Sequence, residues 1–420
     1  MKQRRWAILS ATAGALLLGA GRPAPCDAAL TLEQAVAAAL ANNPALQEAQ
    51  AARDEAHFAL REKSAQRLPR VSAVGDYVTS DDSTTQLPDS NQAVIRGDET
   101  VFQKSLNGEV ARLRRLEAGA SAELEQRRLE TVIDVQQAYY QAVAAAEILQ
   151  VWDDAQKEFS QVLKFLAPKF NIGSVPEYDY AKIRLTISQY RQSRLDTEKN
   201  LSHNLYVLGE VTGGEPPTEV APLPAVAPPA PLDGPTMLSA ALRDRPDVRA
   251  ARAAADAERA GLRGARGERW PVARVGADYG YSGQTANDLS LGWGFDAHLN
   301  LPLFDFGEIG ARIRQADARS RAQASRFESL KLKARTDMND RVLSVRAAWE
   351  KLQLIQEGLP EAKKAYESSF RRYRTSLAPV TELSDAHDLF VQARITFSQA
   401  LLEYRTALAE LVAAQGQAPR

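Results

Sequence analysis

The clearest pattern lies between positions 379 and 414. Apolar residues there recur at alternating steps of three and four: Leu383, Ala386, Phe390, Ala393, Phe397, Ala400, Tyr404, Ala407 and Leu411. That spacing keeps one seam along a helix and is the signature of coiled-coil packing. Large side chains alternate with alanine, which suits knobs-into-holes contact with a neighbouring helix. A much longer helical stretch, about 308–372, precedes it. A matching pair occupies about 105–166 and 175–208. A helix of about 60 residues spans roughly 95 Å, more than a globular domain needs.

Four short stretches have another period. Across 291–301, apolar Trp293, Phe295, Ala297, Leu299 and Leu301 alternate with Gly294, Asp296, His298 and Asn300. This period of two predicts a strand with one apolar face. Strands are also predicted at about 272–281, 71–80 and 93–102. The last is the weakest, because Asp98 and Glu99, with Lys104 just beyond, interrupt its apolar pattern. A polar loop at 81–91 joins 71–80 to 93–102. Strands of about ten residues match the length of a transmembrane β-strand. Four cannot close a barrel, and open edges are not tolerated in lipid, so several chains must share one barrel.

The pattern is written twice. Pro44 and Pro246, Asp54 and Asp256, Pro69 and Pro271, Asp76 and Asp278, Phe102 and Phe304, and Gly108 and Gly310 all stand 202 positions apart. One step further on, Pro176 matches Pro379 and Asp179 matches Glu382. An offset held over this length predicts two tandem structural units. Residues 29–213 form the first and 236–420 the second, each reading helix, strand, strand, long helix, return helix. The first helix opens at Thr31 with a capping signal in Glu33-Gln34, breaks locally at Asn42-Asn43-Pro44 and runs to about Arg67, where Pro69 stops it. Between the units, residues 214–235 (GEPPTEVAPLPAVAPPAPLDGP) are too rich in proline for helix and predict a stiff, extended connector along a surface.

Residues 1–28 predict an export signal. Lys2, Arg4 and Arg5 precede an apolar run from Trp6 to Ala20, and Cys26-Asp27-Ala28 offers a small-residue cleavage site. Cys26 is the single cysteine, so no intramolecular disulfide forms, and Pro25 before it departs from a lipidation motif. The net charge of -1 gives no electrostatic footprint for nucleic acid. No nucleophile–base pair, phosphate loop or cofactor motif is present, and the four histidines lack metal-ligand spacing, so no enzyme activity, cofactor or metal is expected.

Three segments carry a family resemblance: LTLEQAVAAALANNPALQEAQ (30–50), FNIGSVPEYDYA (170–181) and LPLFDFGEIGARIRQAD (301–317). In order and spacing they resemble the TolC-like outer-membrane efflux proteins, over essentially the whole mature chain. The resemblance implies a mainly α fold with a small β part. It implies a homotrimer with a 12-stranded barrel in outer-membrane lipid above a long periplasmic α-helical barrel. It implies a passive exit duct that meets a periplasmic adaptor protein and an inner-membrane pump or ABC exporter. It places adaptor-docking turns at Ile172, Gly173, Ser174 and Val175, and at Ser376, Leu377 and Ala378. It places a closing contact at Asp179 and Tyr373 and an acidic pore ring at Glu382 and Asp385. The family arginine that joins this contact corresponds to Ala378, so Arg371, Arg372 or Arg374 is expected to replace it, with Arg374 or Tyr373 donating to Asp179. The competing reading is an exported structural coiled-coil protein without a pore.

Overall fold

The computed structural model describes residues 29–78, 90–283 and 288–417. The predicted signal peptide, Cys26 and most of the 81–91 loop lie outside them. The first half contains α1 (Leu32–Asn42), α2 (Pro44–Ala65), β1 (Arg70–Val78), β2 (Ser90–Gln103), α3 (Lys104–Asn171) and α4 (Glu177–Thr212). The second contains α5 (Gly234–Asp244), α6 (Pro246–Gly267), β3 (Val272–Gly283), β4 (Ser290–Asn300), α7 (Glu308–Arg374) and α8 (Val380–Ala414). The order is the same in both halves, and α3 and α7 have 68 and 67 residues.

Local chemistry sets several boundaries. Thr31 and Gln34 form a reciprocal capping box at the start of α1. The expected break at Asn42-Asn43-Pro44 divides the first helix into two, because Asn43 is extended and its side chain accepts from the Ala45 N–H to cap α2. The same amide donates to the Val211 carbonyl at the end of α4, 2.9 Å away. α3 continues to Asn171, five residues beyond its expected stop, with Pro168 inside its last turn. α5 takes in Gly234 and Pro235 from the expected connector, since proline in the first helical turn sacrifices no internal hydrogen bond.

The four strands form one antiparallel sheet in the order β1-β2-β3-β4, leaving β1 and β4 as open edges. The register divides the side chains by face. Val71, Tyr77, Ile95, Tyr279, Tyr281, Leu291, Trp293, Phe295 and Leu299 share one face, and all are exposed. Arg70, Asp76, Arg96, Asp98, Arg274, Asp278, Asp296 and His298 share the other. β2, the least regular strand in sequence, is the longest at 14 residues. Asp98 belongs to the polar face, and a bulge between Thr100 and Phe102 returns Phe102 to the apolar face. Lys104 begins α3, its ammonium 3.8 Å from the centre of the Trp270 ring.

The helices lie side by side. α3 packs against α2 and α6 near the sheet, and against α4 and α8 further away, with α7 beyond α6 and α8. Where α3 crosses α6, a Cβ on Gly108 would fall 2.2 Å from the Gly264 Cα, so the backbones touch. Burial on α8 departs from a single seam. Leu383, Ala386, Ala400, Tyr404, Ala407 and Leu411 are buried, but mid-helix the buried residues are His387, Val391, Ile395 and Ser398. There α8 packs on α3 as well as α7, so it needs two apolar stripes.

Residues 214–233 run as an extended strap across this bundle. Every third side chain turns inward: Val220, Leu223, Val226, Pro229 and Leu232 are buried or half-buried. That is the repeat of a polyproline II chain. Ala221, Pro224 and Ala227, again three apart, present carbonyls to Tyr139 on α3 and to Arg405 and Tyr404 on α8, at 2.8, 2.8 and 2.9 Å. Arg346 on α7 bonds the Leu232 carbonyl.

Candidate functional site at the helical tip

The far end of α3, α4, α7 and α8 is closed by one apolar cluster. It joins Phe159, Leu166, Ile183, Tyr190, Tyr373, Val380 and Leu383, and so brings the two expected turns to one end. The first turn is a Schellman motif: Gly173 N–H donates to the Phe170 carbonyl and Ser174 N–H to the Lys169 carbonyl, both at 2.9 Å. Gly173 has φ +71°, and the space around its missing Cβ is empty. The second turn is built identically. Ser376 donates to Tyr373 and Leu377 to Arg372, with Ser376 itself at φ +57°. Serine thus adopts the left-handed conformation that glycine takes more easily. Ile172, Ser174, Ser376 and Leu377 are exposed, while Val175 and Ala378 are half-buried.

Asp179 lies in the first turn of α4 and Glu382 in the first turn of α8, where helix dipoles favour carboxylates. Asp179 is brought near Tyr373. Burial, helped by the Asp179 charge, pushes the Tyr373 hydroxyl up to about 12. Desolvation holds the Asp179 carboxyl above its usual range.

The expected hydrogen bond to Asp179 is absent among the described residues of the single chain. Tyr373 is buried in the cluster, and the Arg374 guanidinium lies over Phe165 and Phe370, about 6 Å from each ring centre. Arg371 faces Glu367, and Arg372 bonds Glu382 at 2.7 Å. Glu382 therefore carries its own counter-charge, whereas Asp385 is exposed and has no ion pair among the described residues.

A polar node escaped the sequence reading. His387, with no exposed surface, lies two turns into α8. Its Nδ1 is 2.8 Å from the Tyr190 hydroxyl of α4, and its Nε2 is 2.9 Å from Glu158 of α3. Tyr190 also donates to Asp388 at 2.5 Å. The ring packs on Phe159 and against the edge of Tyr366, with centres 4.3 and 4.7 Å apart. The only sequence signal was a histidine one position off the apolar seam.

Among the described residues no helix is long and apolar enough to cross a membrane. A family model described as outer membrane efflux protein matches residues 35–214 and again 237–417. The toluene efflux pump outer membrane protein TtgC of Pseudomonas putida is 22% identical over 374 residues, covering 86% of this chain and 77% of its own. Two solved structures share the fold, each with a TM-score of 0.82 and 92% of this chain covered. The outer-membrane channel OprN is 19% identical with 89% of its chain covered, and the Campylobacter jejuni CmeC outer membrane channel is 17% identical with 85% covered.

Proposed function

This chain belongs to the outer membrane efflux protein family, and on that premise we propose that three copies form a passive exit duct. The duct receives substrates from an inner-membrane pump or ABC exporter through a periplasmic adaptor. The observation that carries the reading is the two-faced sheet with two open edges. Its apolar face suits lipid and its charged face suits a wet lumen. An open hollow on the charged face, about 1160 Å³, is lined by Arg70, Arg96, Asp98, Arg274, Asp278 and Asp296. A pore-free coiled-coil protein has no use for such a sheet.

Closure follows from the edges. β1 and β4 run antiparallel to each other, so β4 of one copy can pair with β1 of the next, and three copies give twelve strands. The helices offer matching borders. α7 lies at one side of the bundle, with Leu332, Leu343 and Leu354 exposed at every eleventh residue, and α4 at the other, with Leu185 and Leu195 exposed. An eleven-residue repeat makes a nearly straight stripe along a helix.

At the tip, half-buried Asp179, backed by the buried Tyr373, is set to meet a neighbouring copy and hold the duct shut, and the two Schellman turns present their backbone with the exposed Ile172, Ser174, Ser376 and Leu377 side chains to the adaptor. Sedimentation of the detergent-extracted protein and planar-bilayer recording test the reading together. The expected outcome is a trimer with small unitary conductance. Leu343→Glu with Leu354→Glu should dissociate it, and Asp179→Ala with Tyr373→Phe should raise conductance severalfold. A stable monomer in detergent sinks the duct. A trimer whose conductance ignores the tip substitutions moves the gate elsewhere.

A further inference from the structure

We propose that His387 is a positioning residue of the gate, a charged latch that ties the α7–α8 pair to the α3–α4 pair. The proposal rests on the closed-tip reading above and adds what holds each chain's helices in register behind the gate.

Asp388 and Glu158, as carboxylates, only accept hydrogen bonds. Tyr190 has one hydroxyl proton and gives it to Asp388 at 2.5 Å. Its oxygen is then left to accept from His387 Nδ1, 2.8 Å away. On the other side, Nε2 faces a Glu158 oxygen at 2.9 Å and must donate to it. Both ring nitrogens are therefore donors, which only the imidazolium provides.

Every element around the ring contributes to that balance. α3 supplies Glu158, α4 supplies Tyr190, α7 supplies Tyr366, whose hydroxyl also reaches Glu158, and α8 supplies Asp388. Desolvation first, then the nearby carboxylates, holds the Tyr190 and Tyr366 hydroxyls well above the usual phenol range, so both stay donors. The flanking charges are already spent in ion pairs, Arg194 with Asp153 at 2.6 Å and Arg394 with Asp154 at 2.8 Å.

A buried cation with carboxylates on two sides is costly to break and directional. The latch sits about 10 Å up α8 from the tip turn. Removing the proton takes away one donor and leaves a buried polar pair without a hydrogen between its atoms. The loss weakens the α3–α8 contact, which ties the two helix pairs together behind the tip. Alkaline conditions should thus loosen the tip.

Full-length protein with ring-labelled histidine, in detergent, supplies one test. Nitrogen NMR at neutral pH, with the His387 signal assigned by its loss in His387→Gln, should show both ring nitrogens protonated. A neutral ring, or an Asp388 that carries the proton instead, overturns the latch. Bilayer conductance at increasing pH supplies the second test. The wild type should open severalfold on going alkaline, and His387→Gln should be open and flat across the range. Glu158→Gln keeps the side chain's shape but removes the anion, so its opening midpoint should fall below that of the wild type. A midpoint unmoved in Glu158→Gln overturns the latch even if His387→Gln fails to fold. Failure of the gate reads differently: the imidazolium is seen, while the Asp179→Ala, Tyr373→Phe protein conducts like wild type.

Discussion

At the residue scale, the two tip turns pose one backbone problem with two solutions. Gly173 and Ser376 occupy the same left-handed position of the same hydrogen-bonded motif. A side chain there costs about 1 kcal/mol, which glycine avoids. Ser376→Gly should stabilise the protein by about 0.5–1 kcal/mol, read as a rise in melting temperature, and leave export intact. Gly173→Trp is the opposite experiment. Open space around its Cβ lets the indole fit within the chain, so a folded, inserted trimer should form. Its bulk then covers the turn proposed to meet the adaptor, and export in cells should be abolished. Normal export in that variant removes the turn from the docking site.

At the element scale, repetition hides a difference in packing. Gly108 and Gly310 are equivalent in the repeat, near the starts of α3 and α7. Gly108 lies against the α6 backbone, while nothing stands near Gly310. Gly108→Ala should therefore force α3 from α6 and cost about 1–3 kcal/mol. Gly310→Ala should be neutral or gain up to about 1 kcal/mol from helix propensity. Thermal melting of the two variants decides it, and equal losses would show that α7 is as crowded in the assembly as α3 is in the chain. The strap repeats the lesson with a different period. Its prolines announced an extended connector, but the inward set at every third residue and the carbonyls held by Tyr139, Arg405 and Tyr404 show it as part of the packing.

At the scale of the whole molecule, three-fold repetition would turn single charges into rings. Glu382 and Asp385 both fall near the tip, but their settings differ. Glu382 is neutralised by Arg372 at 2.7 Å, and Asp385 faces outward with no ion pair among the described residues. Asp385→Ala should then remove most of the cation selectivity of the trimer and its block by divalent ions, while Glu382→Ala changes both little. Reversal potentials in asymmetric salt provide the measurement. Equal effects from the two substitutions would mean that Arg372 leaves Glu382 for another partner in the assembly.

Periodicity within a short window was enough to make the long helices and the apolar face of β4 legible, because i, i+3, i+4 and i, i+2 relations are set by backbone geometry alone, and the repeat was legible from residues matching 202 positions apart. The family followed from three segments in order. Other features depend on residues far apart in the chain. His387 meets Tyr190 and Glu158 across 197 and 229 positions, and burial there is set by packing of four helices rather than by a seam on one. The acids and arginines of the tip were visible as residue types, but their pairing was not, since an arginine has many reachable partners and only packing chooses Glu382 for Arg372 and the Phe165 and Phe370 rings for Arg374. The charged residues of β2 looked out of place in a line of text. Register alone puts Asp98 on the polar face, opposite Arg70, and the bulge beyond it turns Phe102 to the apolar face, because a strand's two faces are defined only once its partners are paired.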